Sequence, residues 1–243
     1  TVVADLPEIR SERVTLRPLC IEDEQDLKDA GNGSARFGAS AYDPLSVFGW
    51  LDWQAAGATP TQCGDPLSCV ESLPDVPLSA IISSSSGPPG TKVVLIDPKI
   101  RKAIGMLQFL DSTPRDLSAR IENLWLSPAY HGRKVAAEAI YQALTFLFEH
   151  KYRRVTAETS TRNVAARRLL ERSGFTLEAT LRKHRVRFGR NQDTALYTML
   201  NSEWQECAAR LRKNLGYKPV SAGVRLFEIQ SAEDAIQPQS IEG

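Results

Sequence analysis

A mixed α/β domain is predicted here, built on a largely antiparallel central sheet flanked by helices, with a long insertion ahead of its central hairpin. Three observations carry that expectation. The apolar residues switch between a period of two and a helical period along the chain. The segments "KVVLID" (92–97) and "AIGMLQFLD" (103–111), joined by the short turn "PKIRK", read as a hairpin. The element order is strand, helices, three strands, helix, strand, helix, two strands, helix, which places one parallel crossover near the middle of the sheet.

Taken in order, "RVTLRP" (13–18) alternates polar and apolar and reads as a first strand, and "IEDEQDLKDA" (21–30) opens with acids and stops before Gly31, as a helix does. Leu45, Phe48, Trp53 and Ala56 stand at near-helical spacing in 45–56, although Gly49 weakens that pattern. From Gly57 to Gly90 the chain is rich in Pro, Ser and Gly, and reads as an insertion, partly flexible, with "PLSAII" (77–82) as a possible strand inside it. After the hairpin, "SARIENLWLSP" (118–128) is a strand stopped by Pro128. Ala136, Ala139, Ile140, Ala143, Leu144 and Leu147 then give one apolar helical face reaching about His150. "RVTAETS" (154–160) is a strand, and "NVAARRLLERSGF" (163–175) a helix that begins at Asn163 and ends before Gly174. Residues 176–200 read as two strands joined by the basic turn "FGRNQD", and "SEWQECAARLRKNL" (202–215) is a last helix. One domain over 1–217 and a polar tail over 218–243, with "VRLFEI" (224–229) its clearest signal, complete the division.

Composition narrows the function classes. The chain has 243 residues, 30 Lys and Arg against 29 Asp and Glu, and 42% hydrophobic residues. Near-zero net charge gives no global field for nucleic acid or a membrane surface, so neither is expected as a partner. No apolar run reaches the length of a spanning helix, and no signal-peptide pattern opens the chain. The spacing of Cys63 and Cys69 fits no common zinc motif, and His131, His150 and His184 do not cluster with cysteines, so no metal is expected. Four cysteines in a chain of this length read as thiols in a reducing compartment, hence a cytoplasmic protein.

The chemistry concentrates where the third of the three strands runs into a helix, "IENLWLSPAYHGRKVAAEA", and at the next helix start, "TSTRNVAARRLLERSGF". Unpaired N–H groups and the positive dipole end make a helix start an anion site. Arg133 and Lys134 stand in what reads as the first helical turn, where the dipole opposes them by ~0.3–1 kcal/mol each unless an anion binds. Arg167 and Arg168 could serve a further phosphate, or simply be solvated.

These stretches, with "VTLRPL", "AIGMLQFLD" and "GRNQDTALYTMLNSEW", resemble the GNAT N-acetyltransferase superfamily, and within it the branch containing ribosomal-protein-alanine N-acetyltransferases. The resemblance runs from about Arg13 to Trp204, interrupted by the insertion. It implies a GNAT-type fold, acetyl-CoA as co-substrate in a V-shaped opening between the family's fourth and fifth strands, and the CoA pyrophosphate on the loop and helix start that follow the fourth. Carried over, it implies cofactor contacts from Leu124, Leu126, His131, Gly132, Arg133, Lys134, Val135, Ala136, Ala137, Asn163, Ala166 and Arg167. Asn163 matches the asparagine that meets the pantetheine arm. The family's pyrophosphate loop reads Gln or Arg, two residues, Gly, one residue, then Gly or Ala. Here those positions hold His131, Lys134 and Ala136, so a lysine replaces the glycine. The tyrosine that many relatives use as a general acid falls at Leu170.

Acyl transfer to an amine needs that amine neutral, which calls for a general base, direct or through water. Glu122 is the first candidate, expected to share a strand face with Leu124; pairing with Arg120 is the equal alternative. Glu158 is the second. Tyr130 and His131 could orient a water or the leaving thiol, and Ser127 could relay a proton or cap the helix. The expected partner is an amine acceptor, a small molecule in preference to a protein N-terminus, with the enzyme a monomer or homodimer. A non-catalytic acyl-CoA-binding module, or transfer of a larger acyl group, stays open.

Overall fold

Short β-segments at the N-terminal side feed a sheet that the rest of the domain extends. The computed structural model describes residues 6–32, 90–113, 115–187 and 190–217. The expected helix at 45–56, residues 57–89 of the insertion with the strand at 77–82, and the tail with its segment 224–229 lie outside the described residues.

Within them the order is β1 (Ile9–Arg10), β2 (Thr15–Pro18), α1 (Glu24–Asn32), β3 (Gly90–Asp97), β4 (Lys102–Thr113), β5 (Ser118–Leu126), α2 (Val135–Glu149), β6 (Arg154–Ser160), α3 (Val164–Arg172), β7 (Thr176–Arg187), β8 (Arg190–Leu200) and α4 (Asn201–Leu215). The strands form one sheet in the order β1-β2-β3-β4-β5-β6-β8-β7. Every neighbour pair is antiparallel except β5 and β6, which α2 connects as a parallel crossover. The predicted mixed, largely antiparallel architecture is the one observed.

Helices cover both faces. On one, α2, α3 and α4 seal an apolar core that includes Leu16, Val93, Leu95, Leu107, Phe109, Ile121, Ala157, Leu144, Leu147, Leu170, Tyr197 and Trp204. α2 and α4 meet through Tyr141 and Trp204, whose ring centroids are 5.8 Å apart, and through Arg212 Nη1, which donates to Tyr141 Oη at 3.1 Å. On the other, Leu27 of α1 packs on Val94, Ala103, Met106 and Trp125. Asp26 fixes that helix to the sheet by accepting the Ala103 N–H at 3.2 Å.

Boundaries shift where local hydrogen bonding competes. Residues Ile21–Asp23 form a 3-10 turn ahead of α1, because the Asp23 carboxylate takes the Cys20 N–H at 3.0 Å and is paired with Arg17 at 2.7 Å. The largest shift concerns the cations. A second 3-10 turn, Pro128–Tyr130, delays α2 until Val135, so Arg133 and Lys134 precede its first turn rather than lying in it. Gly132 and Lys134 both adopt positive φ there, 75° and 64°.

Candidate active site

Strands β5 and β6 pair only from Ser118↔Arg154 to Ile121↔Ala157, although β5 continues to Leu126 and β6 to Ser160. Beyond that point they part. A bulge in β5 explains why: Gln108 pairs Glu122 but Met106 pairs Trp125, so one extra residue is accommodated, and Asn123 adopts φ 53°. The Asn123 amide nitrogen donates to Gln108 Oε1 at 3.0 Å and holds the bulge in place.

The bulge also corrects the expected side-chain alternation. Glu122 was expected on the face of Leu124. Instead Leu124 packs against the large core, while Glu122 lies level with Gln108, on the α1 face with Met106 and Trp125. One inserted residue reverses the facing of everything after it.

Glu122 and Glu158 flank the point of divergence, and two arginines bridge them. Arg120 Nη1 donates to Glu122 Oε1 at 3.1 Å and to Glu158 Oε1 at 2.9 Å. Arg185 Nη2, reaching over from β7, donates to Glu158 Oε2 at 2.8 Å and to Glu122 Oε1 at 3.4 Å. Both oxygens of Glu158 are therefore engaged. Glu122 uses one, and among the described residues its Oε2 has no hydrogen-bond partner. The carboxylates lie beneath the cations: each Glu side chain is 9% exposed, Arg120 28% and Arg185 32%.

At the far end of β5 stands the start of α2. Its first intrahelical bond is Glu138 N–H to Lys134 O at 2.9 Å, so the amides of Val135, Ala136 and Ala137 lack an intrahelical acceptor. Among the described residues no side chain caps them. Space for a ligand's approach is present at Gly132, where an added Cβ would meet nothing within 4 Å. That arrangement suits an anion.

The two cations before the helix have separate surroundings. The Lys134 ammonium donates to the Asn214 carbonyl in the last turn of α4, so this lysine serves the negative end of another helix. Its backbone meanwhile keeps the left-handed conformation that glycine adopts most easily, consistent with the glycine that the family pattern has at this position. Arg133 is exposed, its guanidinium 5.8 Å from the centre of the Tyr130 ring.

The remaining candidates are tied down in the surrounding frame. Tyr130 Oη donates to Asp97 at 2.7 Å; burial and that bond push its phenol up to about 12, so it stays protonated at neutral pH. His131 Nε2 lies 2.9 Å from the Leu126 carbonyl. Ser127 is buried, donates its N–H to Ile104 O at 2.7 Å and makes no side-chain cap. Leu126 is in the core. Asn163 caps α3, its Oδ1 accepting the Ala166 N–H at 3.0 Å. Arg167 donates to Tyr197 Oη at 3.1 Å and to the Thr161 carbonyl at 3.3 Å, so its guanidinium braces the β6–α3 loop. The sequence reading had passed over Arg185 and Gln108. Nothing local in the sequence links Arg185 to Glu122, 63 residues away.

A sheet parted between two parallel strands, with an anion-ready helix start at one side and a carboxylate at the other, suits transfer of a group carried on a phosphate-bearing donor. Residues 77–176 match the family model described as an acetyltransferase (GNAT) domain. A GCN5-related N-acetyltransferase from Brucella melitensis is similar in structure, with TM-score 0.64 and 26% identity, covering 86% of this chain and 85% of its own. So is a probable GNAT acetyltransferase from Chromobacterium violaceum, with TM-score 0.59 and 25% identity over 82% of this chain and 88% of its own. A spermidine N-acetyltransferase chimera from Vibrio cholerae shares the fold at TM-score 0.54 and 19% identity, over 80% of this chain and 99% of its own. No curated protein matches. Residues 77–176 are thus similar to GNAT acetyltransferase domains and the chain shares the fold of GNAT enzymes, which supports an acyltransferase. Among the described residues no cluster of His, Cys, Asp and Glu could hold a metal ion, and no helix is long and apolar enough to cross a membrane.

Proposed function

We propose that the protein is an acetyl-CoA-dependent N-acetyltransferase acting on an amine, with a small-molecule acceptor favoured over a protein N-terminus and the reaction located in the cytoplasm. The divergence of β5 from β6 after Ile121↔Ala157, beside the uncapped start of α2, is the observation that carries this reading. The residues fit the co-substrate. The amides of Val135, Ala136 and Ala137 would take pyrophosphate oxygens, Arg133 would add charge, and Asn163 retains its side-chain N–H groups for an amide of the pantetheine arm. The bound co-substrate supplies an acetyl group activated as a thioester.

Glu122 is the better of the two candidate bases. Its Oε2 can accept a proton from the acceptor ammonium, directly or through a water, whereas Glu158 has both oxygens occupied. Arg120 and Arg185 hold the Glu122 carboxylate in one orientation. Tyr130, Ser127 and His131 shape the loop that leads into α2. The neutral amine then attacks the thioester carbon, the amide bond forms as the C–S bond breaks, and CoA leaves as a thiolate that takes up, through solvent, the proton the nitrogen gives up. No protein group is assigned to the leaving sulfur, since Leu170 is part of the core.

Initial rates of thiol release from acetyl-CoA across a panel of primary amines test this reading. Amine-dependent release is the expected result. The bridging of both carboxylates by Arg120 and Arg185 favours a second reading, a non-catalytic acyl-CoA-binding module. Tight CoA binding by calorimetry with no release for any amine would establish that one in its place, and release only from longer acyl-CoAs would establish transfer of a larger acyl group.

A further inference from the structure

The acceptor side of the cleft has a charge character that an acetyltransferase reading does not explain. Between Glu178 and Asp193 there is no acidic residue, while Arg182, Lys183, Arg185, Arg187 and Arg190 all fall in that interval, with His184 among them. The structure concentrates the first part of this run. Leu181 pairs Thr194 but Arg185 pairs Gln192, so two extra residues are taken up by β7, and Lys183 adopts φ 51°. Arg182, Lys183 and His184 are exposed, and none of the three has an ion-pair partner among the described residues. Of the two acids that bound this interval, Glu178 is paired with Arg154 at 2.5 Å and Asp193 turns its carboxylate to the Lys183 backbone N–H at 2.7 Å.

Arg185 connects this bulge to the reaction site. It reaches Glu158 at 2.8 Å and, with Arg120, covers both carboxylates. An approaching molecule therefore meets guanidinium groups before it meets Glu122 or Glu158. Edge strands often carry a cation that blocks pairing with another chain. That accounts for an exposed lysine on β7, which is an edge strand, but not for an arginine turned inward onto the base.

We propose that the acceptor is an anionic amine, one whose amino group stands beside carboxylate groups, and that Arg182, Lys183 and His184 draw it in while Arg120 and Arg185 meet its carboxylates at the cleft. This rests on the transferase reading for the chemistry but not for the recognition. A polycationic amine such as spermidine would meet like charge on the same surface, and like charges across an interface select against a partner.

The test compares acceptors of opposite charge, with the acidic and neutral peptides sharing the same N-terminal amine. Thiol release from acetyl-CoA is measured with free aspartate and glutamate, an acidic peptide with a free N-terminus, a neutral peptide of the same length, and spermidine. At low salt, an anionic acceptor is expected to exceed the neutral peptide and spermidine in kcat/KM about tenfold or more, with the advantage shrinking as salt is added. Whether the free amino acids or the acidic peptide lead tells a small acceptor from a chain terminus. The paired substitution Arg182→Glu and Lys183→Glu is expected to raise KM for the anionic acceptor about five- to tenfold and leave KM for acetyl-CoA unchanged. Preference for spermidine or the neutral peptide, or an unmoved KM in the variant, overturns the proposal while leaving the transferase standing. If no amine releases thiol, calorimetry decides: acidic-peptide binding that the variant loses keeps the recognition without the chemistry, and no binding overturns both.

Discussion

Glu122 and Glu138 are both carboxylates that the fold removes from water, and their hydrogen bonding differs. Glu138, in the first turn of α2, is 0% exposed with both oxygens engaged. Oε1 lies 2.7 Å from Ser11 Oγ and accepts the Arg13 N–H at 3.0 Å, and Oε2 takes Arg13 Nη1 at 2.7 Å. Glu122 keeps one oxygen unmatched beside the parted strands. A buried carboxylate whose lone pairs are all met by the protein is part of the frame, whereas one with an oxygen left over can exchange a proton. Burial alone does not separate structural from chemical acids; the hydrogen-bond inventory does.

Substituting each in turn should separate the two roles. Glu122→Gln is expected to lower turnover by roughly 10²–10⁴-fold, the usual contribution of a general base, with little change in CoA affinity or unfolding midpoint. Steady-state rates beside a CoA titration check it, and unaltered turnover removes Glu122 from the mechanism. Glu158→Gln should cost activity less, since its oxygens serve the arginines.

Glu138→Ala should reverse that pattern. It strands Arg13 and the Ser11–Arg13 segment, at about 2–4 kcal/mol of unfolding free energy by urea titration, held below the fully buried case by Arg13's 28% exposure. The pH dependence follows with its sign. Burial opposes ionisation of Glu138, but hydrogen bonds from Arg13 and Ser11 prevail and hold its pKa below the ordinary glutamate value. Its stabilising share is thus complete above the unfolded value, roughly pH 4–4.5, and is lost as pH falls through the lower folded pKa. Glu138→Gln should flatten that acid limb of a thermal-melt series.

Smaller effects sharpen the same contrast at the two helix starts. α3 is capped by its own Asn163, so Asn163→Ala should cost about 1 kcal/mol of stability, together with weaker CoA binding if its remaining amide N–H groups meet the pantetheine arm. α2 carries no such cap, and Lys134 there supplies only a left-handed residue and a cation for α4. Lys134→Gly relieves the backbone while Lys134→Ala keeps the strain, so the glycine variant should be the more stable of the two by about 0.5–1 kcal/mol in paired urea titrations. Equal midpoints would show that φ 64° at this position costs nothing.

Much of the frame was legible from local pattern. The strand Arg154–Ser160 has the bounds that alternation assigns, and the apolar stripe from Ala136 to Leu147 is the buried face of α2. The start of α2 was misplaced by the 3-10 turn after Ser127, a local competition between turn geometries that periodicity does not register. At the site the split is sharper. Glu122, Glu158 and the helix start could be nominated from sequence, because a strand running into a helix is a local arrangement and a carboxylate inside a strand stands out.

What the sequence determined by itself, then, was the order and type of elements and the families of residues that could do chemistry, since both follow from periods of two and 3.6 and from side-chain type. Only the tertiary structure decided which of those residues act together. The bulge at Asn123 set the face that Glu122 occupies, Arg185 came to it from 63 residues away, and Lys134 found the end of α4 80 residues on. Such pairings depend on the sheet order and on helix packing, which no short window of sequence contains.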